Sequence, residues 1–235
     1  MPTQADLLGT ALGTSKVVLF DFDGPICDVF RGLPAPDVAS ELADLLTTLA
    51  PVLAIPARAT DDPMEVHRLS QSAGSTVLAA VEAALTAAEI RAVKAAGAPI
   101  EGSVQALHAA RDTNRRVAIV SNNSAECVRE YLTLHELLGI VDQIIGRPDL
   151  RPDLMKPSPH SLLTAASACG VAPDLTVLIG DSLTDVEAAH AAGARSIGYA
   201  NKPHKVAALD NAGADAVVLG MHEIANCLVQ LSRIN

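Results

Sequence analysis

The chain has 235 residues, 49% of them hydrophobic, and a formal net charge of −10 at pH 7. That length supports one sizeable core, or a core with a smaller appended unit. The acidic balance excludes nucleic acid or an anionic membrane surface as the main partner. Aromatic residues make up 2% and Trp is absent, so the core has to be built from Ala, Leu, Val and Ile.

The opening MPTQADLLGTALGTSK lacks a basic start and a long apolar run, so no signal peptide is expected. No stretch approaches the roughly 18 apolar residues of a membrane span. GTALGTSK, residues 9–16, looks superficially like a phosphate loop. Its spacing differs from GxxxxGK[ST], and it precedes a strand instead of linking a strand to a helix. The first strand, residues 16–21, is an apolar run ending in Asp21-Phe22-Asp23-Gly24-Pro25. Residues 27–97 then show no strand. They hold five prolines between Pro34 and Pro63, followed by an Ala-rich helical stretch over 75–96. AAGAPIEG, residues 95–102, reads as a linker back.

From there strands and helices alternate. Strands are predicted over 116–121, 141–146, 175–181, 195–199 and 216–219, with helices over 101–113, 124–134, 158–169, 184–192, 202–211 and 222–232. This rhythm predicts an α/β fold: a Rossmann-like parallel sheet covered on both faces, with an inserted all-helical cap. The expected division is a core domain of residues 1–25 and 98–235 and a cap of 26–97.

The polar clusters fall at predicted strand ends, where open parallel sheets bind ligands. They are Asp21 and Asp23, then Ser121-Asn122-Asn123, then Lys156 in KPSP, then Gly180-Asp181 with Asp185. Two unit charges 4 Å apart repel by about 4 kcal/mol at an effective dielectric of 20. Three or four converging carboxylates therefore call for a counter-charge, and a hard divalent cation such as Mg2+ supplies one. Lys156, the Ser121 hydroxyl and backbone N–H groups around Gly24 and Asn122 suit the oxygens of a phosphate. Asp21 would then be a nucleophile, and Asp23 its acid and base.

These four motifs, in this order, resemble the haloacid dehalogenase superfamily. DxDG matches Asp21 to Gly24, the strand-end Ser matches Ser121, the Lys-Pro matches Lys156, and GDxxxD matches Gly180 to Asp185. The resemblance implies a phosphatase with a small helical cap, of the phosphoglycolate phosphatase-like kind. It implies Asp21 as nucleophile, Asp23 as acid/base, and a phosphate held by Gly24, Ser121, Asn122 and Lys156. Magnesium would be held by Asp21, Asp23, Asp181 and Asp185. The partner implied is a small phosphorylated metabolite. Two other readings keep the same residues: a phosphomutase of the β-phosphoglucomutase-like branch, and a low-turnover phosphate-binding or regulatory module. Pro25 departs from the Thr or Val usual after DxDG, and it removes a backbone donor where the chain leaves the strand. The superfamily's phosphonate-cleaving branch uses a cap lysine, and Lys94 is the one lysine in the insert.

Other features read as structural. Cys27, Cys127, Cys169 and Cys227 form no CxxC pair, which suggests reduced thiols and a cytoplasmic location. The histidines make no HExxH motif, so no zinc site is expected. His67, Arg68, Arg31 and Arg58 are expected as exposed residues of the insert. No oligomeric state follows from the Ala-rich helix faces.

Overall fold

The structure, a computed structural model, describes residues 3–234. Its strands are β1 (Val17–Phe20), β2 (Arg116–Val120), β3 (Gln143–Ile145), β4 (Thr176–Gly180), β5 (Arg195–Tyr199) and β6 (Ala216–Val218). All are parallel, in the order β3-β2-β1-β4-β5-β6. The helices are α1 (Gln4–Gly13), α2 (Ala35–Leu49), α3 (Ala54–Ala57), α4 (Pro63–Ser70), α5 (Ser75–Ala95) and α6 (Ser103–Asp112). After them come α7 (Ala125–Leu134), α8 (His160–Ala168), α9 (Leu183–Ala192), α10 (Lys205–Asn211) and α11 (Met221–Ile234). Each predicted strand is present, shortened by up to three residues. No helix among the described residues is long and apolar enough to cross a membrane.

The predicted sequence elements leave out α1. Thr3 caps it by accepting from the Asp6 N–H, and Asp6 accepts from the Thr3 N–H in return. The helix absorbs Gly9 and Gly13, so GTALGTSK is a helix end running into β1 and no phosphate loop.

Alternation along β1 sorts its side chains between two layers. Val18 and Phe20 enter a cluster with Leu8 and Leu12 of α1, Leu107 of α6, Tyr131 of α7 and Leu228 of α11. Val17 and Leu19 enter the opposite cluster, with Leu162 and Ala165 of α8 and Ala188 and Ala189 of α9. The same parity turns Asp21 toward the α8–α9 layer. β1 lies between β2 and β4, with Phe20 level with Ile119 and Ile179. One step on, the chain leaves the sheet at Asp21, near Ser121 and Asp181. This central position makes the three strand ends neighbours.

Helices α2 to α5 build a cluster of their own. Val38, Leu42 and Leu46 of α2 pack with Ala57, Val66 of α4, and Val81 and Leu85 of α5. α5 is 21 residues long, about 30 Å at 1.5 Å per residue. Its first half serves this cluster, and Ala92 and Val93 near its end join the sheet-side core.

One expectation about the insert is corrected here. His67 is fully buried, not exposed. Its Nε2 lies 3.3 Å from Glu82 Oε2. Burial, with Arg147 and Arg68 nearby, lowers its pKa to about 3. His67 is therefore neutral, and the contact is a hydrogen bond rather than an ion pair. Its polarity drew the expectation of exposure, because its partner lies one helix away in sequence. A folded pKa below the unfolded value makes stability full above about pH 6.5 and lost as pH falls toward 3, at no more than about 1.4 kcal/mol per pH unit. Urea titrations at pH 7.5 and pH 5 are expected to show a larger loss for the native chain than for His67→Gln. Equal losses would contradict a buried neutral His67.

Candidate active site

Asp21 continues the sheet: its N–H donates to the Ile179 carbonyl at 2.8 Å. Its Oδ1 accepts from the Phe22 N–H at 2.7 Å and lies 2.8 Å from Lys156 Nζ. Among the described residues nothing bonds its Oδ2. Lys156 also reaches Asp185 Oδ1 at 2.5 Å and the Val120 carbonyl at 3.2 Å. All three charged residues are nearly closed to solvent, at 7% for Asp21, 2% for Lys156 and 1% for Asp185. Burial opposes charge on Lys156, but Asp185 and Asp21 outweigh it, and it holds its proton more firmly than an ordinary lysine. Burial, then Asp185, push the Asp21 carboxyl well up, and Lys156 opposes them. One ammonium is shared by two carboxyl groups, so the buried group holds two acids to one base.

Asp185 sits in the first turn of α9. Its Oδ2 accepts from the Ser182 N–H and hydroxyl, and the Ser182 hydroxyl accepts from the Asp185 N–H. With Lys156 on Oδ1, both of its oxygens are engaged. It caps its helix and holds the lysine at once. Gly180 makes this possible, because a Cβ there would strike the Asp185 carboxylate. Asp181 is held from outside: Asn201 Nδ2 donates to its Oδ2 at 2.9 Å, and Lys205 Nζ bonds the same oxygen and the Asp181 carbonyl. Neither Asn201 nor Lys205 carried a motif that could have marked it.

Asp23 faces the same cleft. Its Oδ1 accepts from the Val29 N–H at 3.0 Å. The residue is partly open to the cleft, yet burial pushes its carboxyl up to about 6, against the pull of that hydrogen bond. A carboxyl partly protonated near neutrality suits a proton donor.

The phosphate set expected from sequence is revised at Gly24. The Gly24 N–H donates to the Cys27 carbonyl at 2.7 Å and is spent. Gly24 is needed for another reason: its φ is +101°, and a Cβ would collide with the Asp181 carboxylate. The Asn122 side chain is spent as well, with Oδ1 accepting from the Lys156 N–H and Nδ2 donating to the Lys156 carbonyl. That leaves Asn122 its backbone N–H. Ser121 Oγ donates to Asn123 Oδ1 and accepts from the Asn123 N–H.

Asp21, Asp23, Ser121, Asn122, Lys156 and Asp181 line one cleft of about 320 Å³. The insert supplies its other wall through Phe30, Asp61, Asp62 and Met64. None of these four stood out in the sequence. Arg68 approaches the rim, with Nη2 3.4 Å from the Lys156 carbonyl. Lys94 is far from chemistry, in an exposed pair with Glu130. Carboxylate oxygens of Asp21, Asp181 and Asp185 lie within 4.8 Å of one another. An all-oxygen set this close is of the kind that a hard cation takes.

A family model of haloacid dehalogenase-like hydrolases matches residues 15–193. The chain belongs to this family. A phosphoglycolate phosphatase of Nitrosococcus oceani is 36% identical over 117 residues, 49% of this chain and 50% of that protein. The chain thus spans about half the length of that curated relative. A phosphoglycolate phosphatase of Xylella fastidiosa is 29% identical over 194 residues, 77% of this chain and 79% of that one. Among solved structures, CbbY from Rhodobacter sphaeroides in complex with phosphate gives a TM-score of 0.65 at 20% identity, covering 89% of this chain and 96% of its own. A HAD family hydrolase from Deinococcus radiodurans with bound phosphate and sodium gives 0.59 at 24% identity, covering 93% and 97%. These structural likenesses establish the family's α/β fold for this chain.

The shared lysine generates a test within this family's rim. Lys156→Met leaves Asp21 and Asp185 buried and unpaired, and is expected to cost about 3–5 kcal/mol of stability in urea titrations. Adding Asp185→Asn is expected to recover much of that loss. A single variant as stable as the native chain would contradict the pairing.

Proposed function

We propose that the protein is a magnesium-dependent phosphatase of small phosphomonoesters that works through a phosphoryl group carried on Asp21. The observation that carries this reading is the setting of Asp21: a strand-end carboxylate with Oδ1 pinned by Phe22 and Lys156 and Oδ2 open. In the proposed first step Oδ2 attacks phosphorus, the bond from phosphorus to the ester oxygen breaks, and Asp23 gives that oxygen its proton. In the second, Asp23 takes a proton from water as the water attacks phosphorus. Phosphate leaves and the Asp21 carboxylate returns. The Asn122 N–H holds an oxygen that does not react, and the Ser121 hydroxyl and Lys156 join it by turning from Asn123 and from the Val120 carbonyl. Asp185 acts by holding Lys156. A magnesium ion bound by Asp21, Asp181 and the Asp23 carbonyl would neutralise phosphoryl charge, and Asp185, expected from sequence as a fourth ligand, would stand behind the ion with both oxygens on Lys156 and Ser182.

The same reading makes residues 26–97 a cap over a core of 1–25 and 98–235, shielding the phosphoryl group from bulk water. A cleft of about 320 Å³ suits a small ester. The relatives' printed activity makes phosphoglycolate one member of the class to try first.

The test is phosphate release from phosphoglycolate, sugar phosphates and nucleoside monophosphates, with and without magnesium. Release is expected to need magnesium and to fall at least about 10³-fold in Asp21→Asn. Magnesium is also expected to raise the melting temperature of the native chain and not of Asp181→Asn. Release from Asp21→Asn at the native rate, or from no ester at all, would overturn the proposal.

A further inference from the structure

Glu89 of α5 and Arg147, just beyond β3, form an ion pair at 2.8 Å with side chains 0% and 1% exposed. Burying two charges costs several kcal/mol per ion, and well-packed apolar residues often replace such a pair without loss of stability. Stability alone therefore does not explain it. Its hydrogen bonds point to another role. Glu89 Oε1 accepts from Asn123 Nδ2 at 3.1 Å, and Oε2 accepts from the Ser124 N–H at 3.0 Å. The latter places the carboxylate at the N-terminus of α7, where the helix dipole favours it. Arg147 Nη1 donates to the Asn122 carbonyl at 3.0 Å, and the Arg147 N–H to the Asn123 carbonyl at 2.8 Å. Nη2 returns to α5 through Thr86 Oγ1 at 3.1 Å. Three consecutive residues, Asn122, Asn123 and Ser124, are thus gripped by one buried pair. Asn123 in turn holds the Ser121 hydroxyl at both its donor and acceptor sides.

We propose that Glu89 and Arg147 are positioning residues for the loop that presents Ser121 and the Asn122 N–H to the phosphate. This rests on the phosphatase reading for the loop's purpose. The pair touches no substrate; it acts through Asn123 and the loop backbone. One member comes from the insert, so the insert shapes the phosphate site from behind as well as walling the cleft in front. Any movement of α5 relative to the sheet would pull on the same loop.

The test uses the full chain with Glu89→Leu and Arg147→Leu combined, which removes both charges together. The melting temperature is expected to fall, because Asn123 Nδ2, the Ser124 N–H and the Asn122 carbonyl lose buried partners, so phosphate affinity and exchange are compared at a temperature where both chains are folded. Affinity for inorganic phosphate with magnesium present is expected to fall roughly 10–100-fold, since small misplacements of positioning groups cost that much. Amide hydrogen exchange over residues 121–125 is expected to quicken, with the rest of the sheet unchanged. If that variant does not fold, Glu89→Gln with Arg147→Gln carries the same comparison, keeping hydrogen-bonding atoms without charge. A folded variant with native phosphate affinity and native exchange in this loop would overturn the proposal. A native chain that binds no phosphate would overturn the phosphatase reading itself, and the exchange data would then decide the clamp alone.

Discussion

Lys156 stands between Asp21 and Asp185 at the floor of the cleft, nearly closed to solvent, and the rim of the sheet is arranged around that contact. Repulsion between two such carboxylates is of the same size as a large fraction of a domain's whole stability. The ammonium removes the conflict, and each partner is then fixed by a second tie. Phe22 holds Asp21 through its N–H, and Ser182 holds Asp185 through a helix cap. The lysine backbone is itself clasped by Asn122. One cation thus links the ends of β1 and β2 and the start of α9. The open Oδ2 of Asp21 is a consequence of how this group is tied.

The placement follows from topology. A strand in the middle of a parallel sheet has a neighbour on each side, and β1 has β2 and β4. Its alternating side chains send Phe20 and Phe22 to one layer, and Leu19, then Asp21, to the other. The small residues of that second layer, Ala188 and Ala189 among them, let α9 lie close and bring Asp185 to the strand ends. Gly24 and Gly180 serve the same closeness, leaving room for the carboxylates of Asp181 and Asp185. The insert adds a wall of mixed character and, through Glu89, a buried tie to the loop after β2.

Much of this was legible in the sequence because it is local. Apolar runs of four or five residues ending in Asp or Ser marked the strand ends, and the alternation with helices marked the sheet. The α1 helix was missed, although Thr3 three residues before Asp6 and the spacing of Leu8, Ala11 and Leu12 are local signals for it. What else escaped is pairing at a distance. Glu89 and Arg147 are ordinary charged residues of a helix and a loop until the fold brings them together, and His67 looks exposed until Glu82 is beside it. Gly24 shows the opposite failure: its motif was plain, but its N–H was already taken by Cys27. A motif marks a residue without saying which of its atoms is free.

The central claim is that Asp21 Oδ2 takes the phosphoryl group. Acid quenching of the native chain during turnover of its best ester, followed by peptide mass analysis, tests it most directly. The account predicts a phosphoryl label on the peptide carrying Asp21, absent from Asp21→Asn. A label on another residue, or quenched samples that turn over substrate yet never carry one, would contradict it.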